Sequence, residues 1–300
     1  MYIKQALLGK NDWWRTLLIL LICLAPLLIN LLYFLVLSPE ELDAMFRKTQ
    51  LFKNKNLNLI LNLVGFVFFL GIFFALFLLL HKRNLLNLTT SRKKIDFKRI
   101  FFSFSILFMM QIAVFGISYL NNSSNITWNY NPSQFWILVI IAILLLPIQI
   151  GFEEYIFRGY LQQQIGNYFN NKWLALIISG ILFGVVHSAN PEVSQIGFKM
   201  MIFYIGTGLL LGYITLLDQG LELSIGFHFA NNLIACLLVT TDYSALQTEA
   251  LFKYVGDIDK TELFTQTFIE MTLVYSIFFF ILAKVYKWKN WKLRFTNTIE

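Results

Sequence analysis

The strongest constraint on the fold of this chain is a series of stretches of 18 residues or more that contain no Asp, Glu, Lys or Arg. A helix needs about 20 apolar residues to cross the hydrocarbon core of a bilayer. Inside that core every backbone amide must be hydrogen-bonded within the protein, which favours helices. Only 14% of the residues are charged, against roughly a quarter in soluble chains. The pattern excludes a soluble enzyme and a disordered chain.

Counting the apolar runs between polar breaks predicts an all-α, polytopic membrane protein with about eight transmembrane helices. The predicted spans are residues 16–37, 57–80, 101–120, 135–157, 173–189, 199–217, 222–240 and 264–285. We divide the chain into helices 1 to 3 with their loops (1–134), a helical core (135–240), and a final loop, last helix and basic tail (241–300).

The distribution of basic residues predicts the orientation. With both termini in the cytoplasm, 17 of the 24 Lys and Arg residues lie on the cytoplasmic side, seven of them between residues 81 and 100. Such an excess is typical of cytoplasmic loops. We therefore expect a multi-pass protein of a bacterial cell membrane with cytoplasmic termini. The net charge of +7 is a topology signal, and no motif indicates a nucleic-acid partner.

Polar residues inside the predicted spans are candidates for function, because a charge in hydrocarbon costs about 2.5 to 3.5 kcal/mol on insertion scales. They concentrate at the end of the fourth span, in the fifth and in the seventh. The residues are Glu153, Glu154, Arg158, His187, His228, Asn231 and Asn232. One such residue would indicate an interhelical hydrogen bond. Several on three helices indicate a shared site.

Helical spacing separates the two adjacent carboxylates. Glu154 and Arg158 are four residues apart and face the same side of a helix, so we expect them to form an ion pair. Glu153 points about 140° away from Arg158 and is free to act as a general base. His228 and Asn232 have the same spacing, which allows both side chains to stabilise one oxyanion.

Three short motifs, taken in their order along the chain, resemble those of the CPBP intramembrane proteases. The motifs are Glu153-Glu154-x-x-x-Arg158, Phe183-x-x-x-His187 and His228-x-x-x-Asn232. That family includes the type II CAAX prenyl endopeptidases and the bacteriocin-processing and immunity-associated Abi group. The resemblance covers roughly residues 135–240.

The resemblance implies an intramembrane glutamic endopeptidase that cleaves a peptide or membrane-protein substrate near the cytoplasmic side of the bilayer. It implies Glu153 as the base, His187 as its partner on the water, and His228 with Asn232 at the oxyanion. Glu154, Arg158 and Phe183 would support them.

Two alternatives stay open. A zinc ion on Glu153, His187 and His228 is conceivable, but these ligands are not preorganised on one helix as in His-Glu-x-x-His, so we expect no cofactor. The same fold without catalysis would give an immunity or regulatory membrane protein that binds a peptide or a membrane partner.

A substrate such as a prenylated CAAX peptide, a bacteriocin leader or a pheromone precursor would fit a site that opens to the cytoplasm.

Overall fold

The computed structural model describes residues 1–121, 123–256 and 259–288, and the basic tail predicted after residue 288 lies outside them. Twelve α-helices occur in the described part of the chain. They are α1 (Trp13–Val36), α2 (Pro39–Thr49), α3 (Lys55–Leu76), α4 (Leu85–Thr89), α5 (Phe97–Asn121), α6 (Pro132–Glu154), α7 (Gln162–Phe169), α8 (Lys172–Val185), α9 (Pro191–Ile196), α10 (Met201–Asp218), α11 (Glu222–Leu237) and α12 (Lys260–Val285).

Three short strands complete the described structure. They are β1 (Ile126–Trp128), β2 (Val239–Thr240) and β3 (Phe252–Tyr254). Strand β3 lies in the middle, antiparallel to β1 and parallel to β2. The sheet joins the loop before α6 to the segment after α11.

Every predicted span coincides with an apolar helix, and the all-α polytopic membrane fold is confirmed. Six helical segments in the described residues are long and apolar enough to cross a membrane. The other two are α8, with 14 residues, and α11, with 16 residues. Both are shorter than the roughly 20 residues that a spanning helix needs. The count of eight spanning helices therefore stays a prediction.

Two stretches adopt π-helical hydrogen bonding, which the sequence analysis did not anticipate. One continues α3 over Phe77–His81, and the other links α6 to α7 over Tyr155–Leu161. The two segments touch, since the hydroxyl of Tyr160 lies 2.7 Å from His81 Nε2. The position of His81 at a helix end beside Lys82 and Arg83 predicts an ordinary histidine at the membrane interface, but the side chain has no exposed surface, so this prediction is wrong.

Glycines allow α8 and α10 to pack with their backbones in contact. A Cβ atom at Gly208 would overlap the backbone carbonyl of Gly180, and one at Gly184 would overlap Ile205. This agrees with the rule that small residues one turn apart let membrane helices approach closely. The close approach brings the carbonyl of Gly208 within 3.5 Å of Arg158 Nη2.

The first residues of the chain pack at one end of the molecule, beside the basic 82–99 connector, which leads from His81 through α4 into the first turn of α5. Tyr2 is fully buried, and its hydroxyl donates to the carbonyl of Leu88 at 2.7 Å and lies 3.3 Å from the carbonyl of Arg158. Arg83 is 3% exposed and donates to Gln163 at 2.6 Å. Burial lowers the pKa of the Arg83 guanidinium to about 10.

A network of charged side chains lies at the same end of the molecule. Arg92 binds Asp218 at 2.8 Å and Glu222 at 3.1 Å, and Arg99 also pairs with Asp218. The guanidinium of Arg99 lies 4.1 Å from the ring centroid of Tyr286, which follows α12. These contacts tie the basic 82–99 connector to the α10–α11 turn.

Candidate functional site

The three sequence motifs meet in the interior of the helical bundle. Glu153 and Glu154 are the last residues of α6, His187 follows the end of α8, and His228 lies in the middle of α11. The ring of Phe183 lies between them, with its centroid 4.8 Å from that of His187 and 5.8 Å from that of His228. The structure thus brings together residues that are up to 75 positions apart in the chain.

Glu154 is completely buried, and one of its two carboxylate oxygens holds two partners, while Oε2 has none among the described residues. Its Oε1 accepts from Arg158 Nη1 at 2.8 Å and lies 2.8 Å from His228 Nδ1. The expected Glu154–Arg158 ion pair is therefore present, with both side chains inaccessible to solvent. Arg158 also packs its guanidinium 3.9 Å from the centre of the Phe183 ring.

Glu153 is the carboxylate that faces the cavity. Its side chain is 7% exposed. Gln149, one turn earlier on α6, donates to Oε1 at 2.9 Å, while Oε2 has no hydrogen-bond partner among the described residues. His228 Nε2 lies 3.6 Å from this Oε2, which is too long for a direct hydrogen bond. Glu154 therefore pairs with Arg158 and Glu153 faces the cavity, as the helical spacing predicts.

His228 lies between the two carboxylates, an arrangement that the sequence did not indicate. Because the Glu154 carboxylate accepts, the proton on His228 belongs on Nδ1, and Nε2 is directed towards Glu153. Asn232 lines the same cavity one turn further along α11, and its Oδ1 accepts from Asn231 at 3.3 Å.

His187 is held by its own helix and by a stacked ring. Its Nδ1 donates to the carbonyl of Phe183 at 2.7 Å, because that carbonyl can only accept. The phenol ring of Tyr204 from α10 stacks on the imidazole with centroids 4.7 Å apart. These contacts leave Nε2 of His187 as the free ring nitrogen.

These side chains line a cavity of about 910 Å³. From Glu153 it extends to Phe46 on α2, Glu192 on α9 and the segment that contains Ala245. These connectors join the ends of the helices that lie opposite the basic 82–99 connector. With the predicted orientation, the cavity would extend towards the outer face, which disagrees with the expected opening to the cytoplasm. That expectation took only the depth of Glu153, His187 and His228 along their helices into account.

Several polar residues of the cavity were not singled out from the sequence. Gln111 on α5 donates to Asn231 at 3.0 Å, Gln149 supports Glu153, and Tyr204 stacks on His187. Glu192 also lines the cavity, and so does Glu270, a charged residue of the last predicted span for which the sequence predicts a position near the outer interface. Gln111 and Gln149 were detectable as uncharged polar residues inside apolar spans, whereas Glu192 lies in a connector and carries no such signal.

The geometry of a metal centre is not found in the described part of the chain. No group of three or more His, Cys, Asp and Glu side chains there is arranged to hold a metal ion. Nδ1 of His187 and Nδ1 of His228 are each engaged with a protein acceptor. Metal dependence stays a prediction that needs an experiment.

Comparison with known proteins shows which proteins the central part of the chain resembles. Residues 132–234 match the family model of the Rce1-like type II CAAX prenyl endopeptidases. The chain is also 35% identical over 160 residues to the uncharacterized protein YyaK of Bacillus subtilis (strain 168). That alignment covers 53% of this chain and 54% of the relative, so the chain spans about half the length of the curated relative it matches. No solved structure matches the chain. The segment that carries Glu153, His187 and His228 is therefore similar to the Rce1-like type II CAAX prenyl endopeptidases.

Proposed function

We propose that the protein is an intramembrane endopeptidase in which Glu153 activates the attacking water. The observation that carries this proposal is the different use of two adjacent carboxylates. Glu154 is paired with Arg158 and His228 and does not line the cavity, whereas Glu153 lines it with an Oε2 that has no hydrogen-bond partner among the described residues. A buried carboxylate oxygen that is left free beside a cavity is suited to accept a proton from water.

In the proposed reaction the Glu153 carboxylate removes a proton from a water molecule that lies between Glu153 and His187. The resulting hydroxide attacks the carbonyl carbon of the scissile peptide bond, and the carbonyl oxygen becomes an oxyanion. Nε2 of His187 is free to hold this water, because its Nδ1 is committed to Phe183. The proton taken up by Glu153 is then passed to the leaving amine, directly or through His187.

His228 and Asn232 are proposed to stabilise the oxyanion. His228 has to carry a proton on Nε2 to donate there, and its Nδ1 is held by Glu154. The buried Arg158 neutralises Glu154 in turn and fixes its position. Glu154 and Arg158 act in this scheme as positioning residues.

The proposed substrate is a peptide or a segment of a membrane protein that reaches the cavity within the bilayer. A prenylated C-terminal peptide and a leader peptide are both compatible with a cavity of this size. The family whose model matches residues 132–234 favours the first of these chemical classes.

The central experiment compares the wild-type protein with Glu153→Gln on a library of fluorogenic peptides in lipid nanodiscs. Glutamine preserves the size of the side chain and its contact with Gln149 but cannot serve as the base. We expect cleavage to fall by at least about 100-fold, the usual contribution of a general base. Peptide binding and the melting temperature should change little. Normal cleavage by a folded Glu153→Gln variant would refute the assignment of the base.

Cleavage by the purified protein is expected to persist in a strong chelator, because the proposed mechanism needs no metal ion. The measurement is the initial rate before and after dialysis against the chelator, with zinc added back at the end. If activity is lost on dialysis and restored by zinc, Glu153, His187 and His228 must be reassigned as metal ligands. If the intact protein cleaves nothing but a Glu153→Gln strain keeps its cellular function, the protein is a binder.

A further inference from the structure

The charge of the cavity indicates which peptides it accepts. Three glutamates line it, namely Glu153, Glu192 and Glu270, and no Lys or Arg does among the residues that the structure describes. The chain as a whole carries a net charge of +7, so this local excess of carboxylates opposes the overall balance. Carboxylates held in a partly dry cavity favour a positively charged occupant.

The hydrogen-bonding capacity of the walls points in the same direction. Four buried side-chain atoms on the lining residues have no partner in the described structure, and all four are acceptor oxygens. They are Oε1 of Gln111, Oε1 of Gln149, Oε2 of Glu153 and Oε2 of Glu192. Buried polar atoms are nearly always hydrogen-bonded, so the occupant has to supply donors. An ammonium or guanidinium group supplies donors without adding acceptors.

Glu192 is available to bind such a group. Its Oε1 accepts from the backbone amide of Ala245 at 2.8 Å, which fixes the carboxylate against the 241–250 segment. The other oxygen is buried without a hydrogen bond of normal geometry in the described structure, and the side chain of Tyr204 lies close to the carboxylate. Burial also raises the pKa of the Glu192 carboxyl, and a bound cation would lower it again by stabilising the ionised form.

Glu270 lies where the cavity meets a second groove. It accepts a hydrogen bond from Gln266 at 3.0 Å, one turn earlier on α12. The second groove runs along the first turns of α12 and is lined by Asp259, Glu262 and Glu270. Glu270 borders both spaces, so the carboxylates follow one path from the start of α12 into the cavity.

We propose that the cavity selects peptides that carry a Lys or Arg side chain, and that Glu192 and Glu270 bind this positive charge. The proposal rests on the proposed endopeptidase function and names its substrate class. Glu153 is reserved for the chemistry, which leaves the other two carboxylates for recognition. A bound metal ion is a poorer fit, because no three potential ligands converge in the described residues.

The test measures peptide binding separately from cleavage. Capped apolar peptides, each with one Lys, are compared with otherwise identical peptides that carry norleucine, which lacks the charge, or Glu. Their affinities for the Glu153→Gln protein in nanodiscs are measured by fluorescence anisotropy at physiological salt, so that long-range attraction is screened. We expect the best Lys peptide to bind about ten-fold more tightly than its norleucine partner, the value of one charge-assisted hydrogen bond.

Substitutions then locate the recognition. Glu192→Gln and Glu270→Gln, each introduced into the Glu153→Gln protein, should reduce the preference for Lys, and both together should abolish it. Glu40→Gln is the matched control, because Glu40 is exposed on α2, does not line the cavity and removes the same charge. It should leave the preference unchanged. Glu270→Lys should shift the preference towards the Glu peptide.

The outcomes separate the two proposals. Equal binding of Lys and norleucine peptides, or a Lys preference that persists in the Glu192→Gln, Glu270→Gln double variant, would overturn the recognition proposal while cleavage by the wild type still stands. A Lys preference that depends on the two glutamates, combined with no cleavage by the wild type, would support recognition and refute the endopeptidase. In the wild type the substitutions should raise KM for the Lys peptide and leave kcat nearly unchanged.

Discussion

At the scale of single residues, the site depends on three buried side chains that are hydrogen-bonded in a row. Arg158, Glu154 and His228 are linked by contacts of 2.8 Å, and their side chains are at most 6% exposed. Removing one member of a buried pair leaves the other charge without compensation, which costs about 3 to 5 kcal/mol in soluble proteins. These three side chains therefore stabilise the fold, and they contribute to catalysis only through His228.

Glu154→Gln is expected to lower the amount of folded protein more than it changes the rate per folded molecule. The measurements are the melting temperature in detergent and the cleavage rate normalised to folded protein. Arg158→Ala should behave in the same way. Asp43→Asn is the matched control, because Asp43 and Arg47 form an ion pair with the same spacing on an exposed helix. A Glu154→Gln protein that is stable but inactive, together with a Glu153→Gln protein that cleaves normally, would mean that Glu154 and not Glu153 is the base.

At the scale of helices, the contact between α8 and α10 sets the distance between two parts of the site. Gly208→Ala would force the new methyl group against the carbonyl of Gly180. Overpacking of this kind costs about 1 to 3 kcal/mol. We expect a lower melting temperature and reduced cleavage, since α10 also carries Tyr204. Gly116→Ala is the control, because a Cβ atom there meets nothing within 4 Å.

If Gly208→Ala leaves both the melting temperature and the rate at the level of Gly116→Ala, the close helix contact has no energetic weight. Alternatively, Gly208→Ala could lower the melting temperature while the cleavage rate per folded molecule stays the same. That result would assign the contact to folding alone.

Hydropathy and helical spacing predicted most of the helices and the arrangement of the two glutamates. They succeeded because bilayer thickness and the 3.6-residue period act locally on the sequence. The burial of His81 was missed because its partner, Tyr160, lies 79 residues away in the chain. The contacts of Tyr2 and Glu192 were missed for the same reason, since long-range packing leaves no periodic signal.

At the scale of the whole molecule, orientation decides from which side a substrate arrives. We predict that the 82–99 connector is cytoplasmic and the loop before α6 is external. Lys94→Cys and Ser124→Cys place one exposed cysteine in each, and the native Cys23 and Cys236 are buried. A membrane-impermeant maleimide should label Ser124→Cys in intact cells and Lys94→Cys only after permeabilisation. Labelling of both variants in intact cells would contradict the topology.

The π-helical stretch at Tyr155–Leu161 has a consequence for how this chain tolerates length changes. A π-helical turn holds more residues than an α-helical one, so it accommodates what amounts to an inserted residue within a continuous helix. The phase of the helix before Glu154 is thereby uncoupled from the phase after Leu161. A single-residue deletion in this stretch should therefore restore α-helical hydrogen bonds and leave α7 close to its present orientation, whereas a deletion in the α-helical part of α6 should rotate α7 away from its partners.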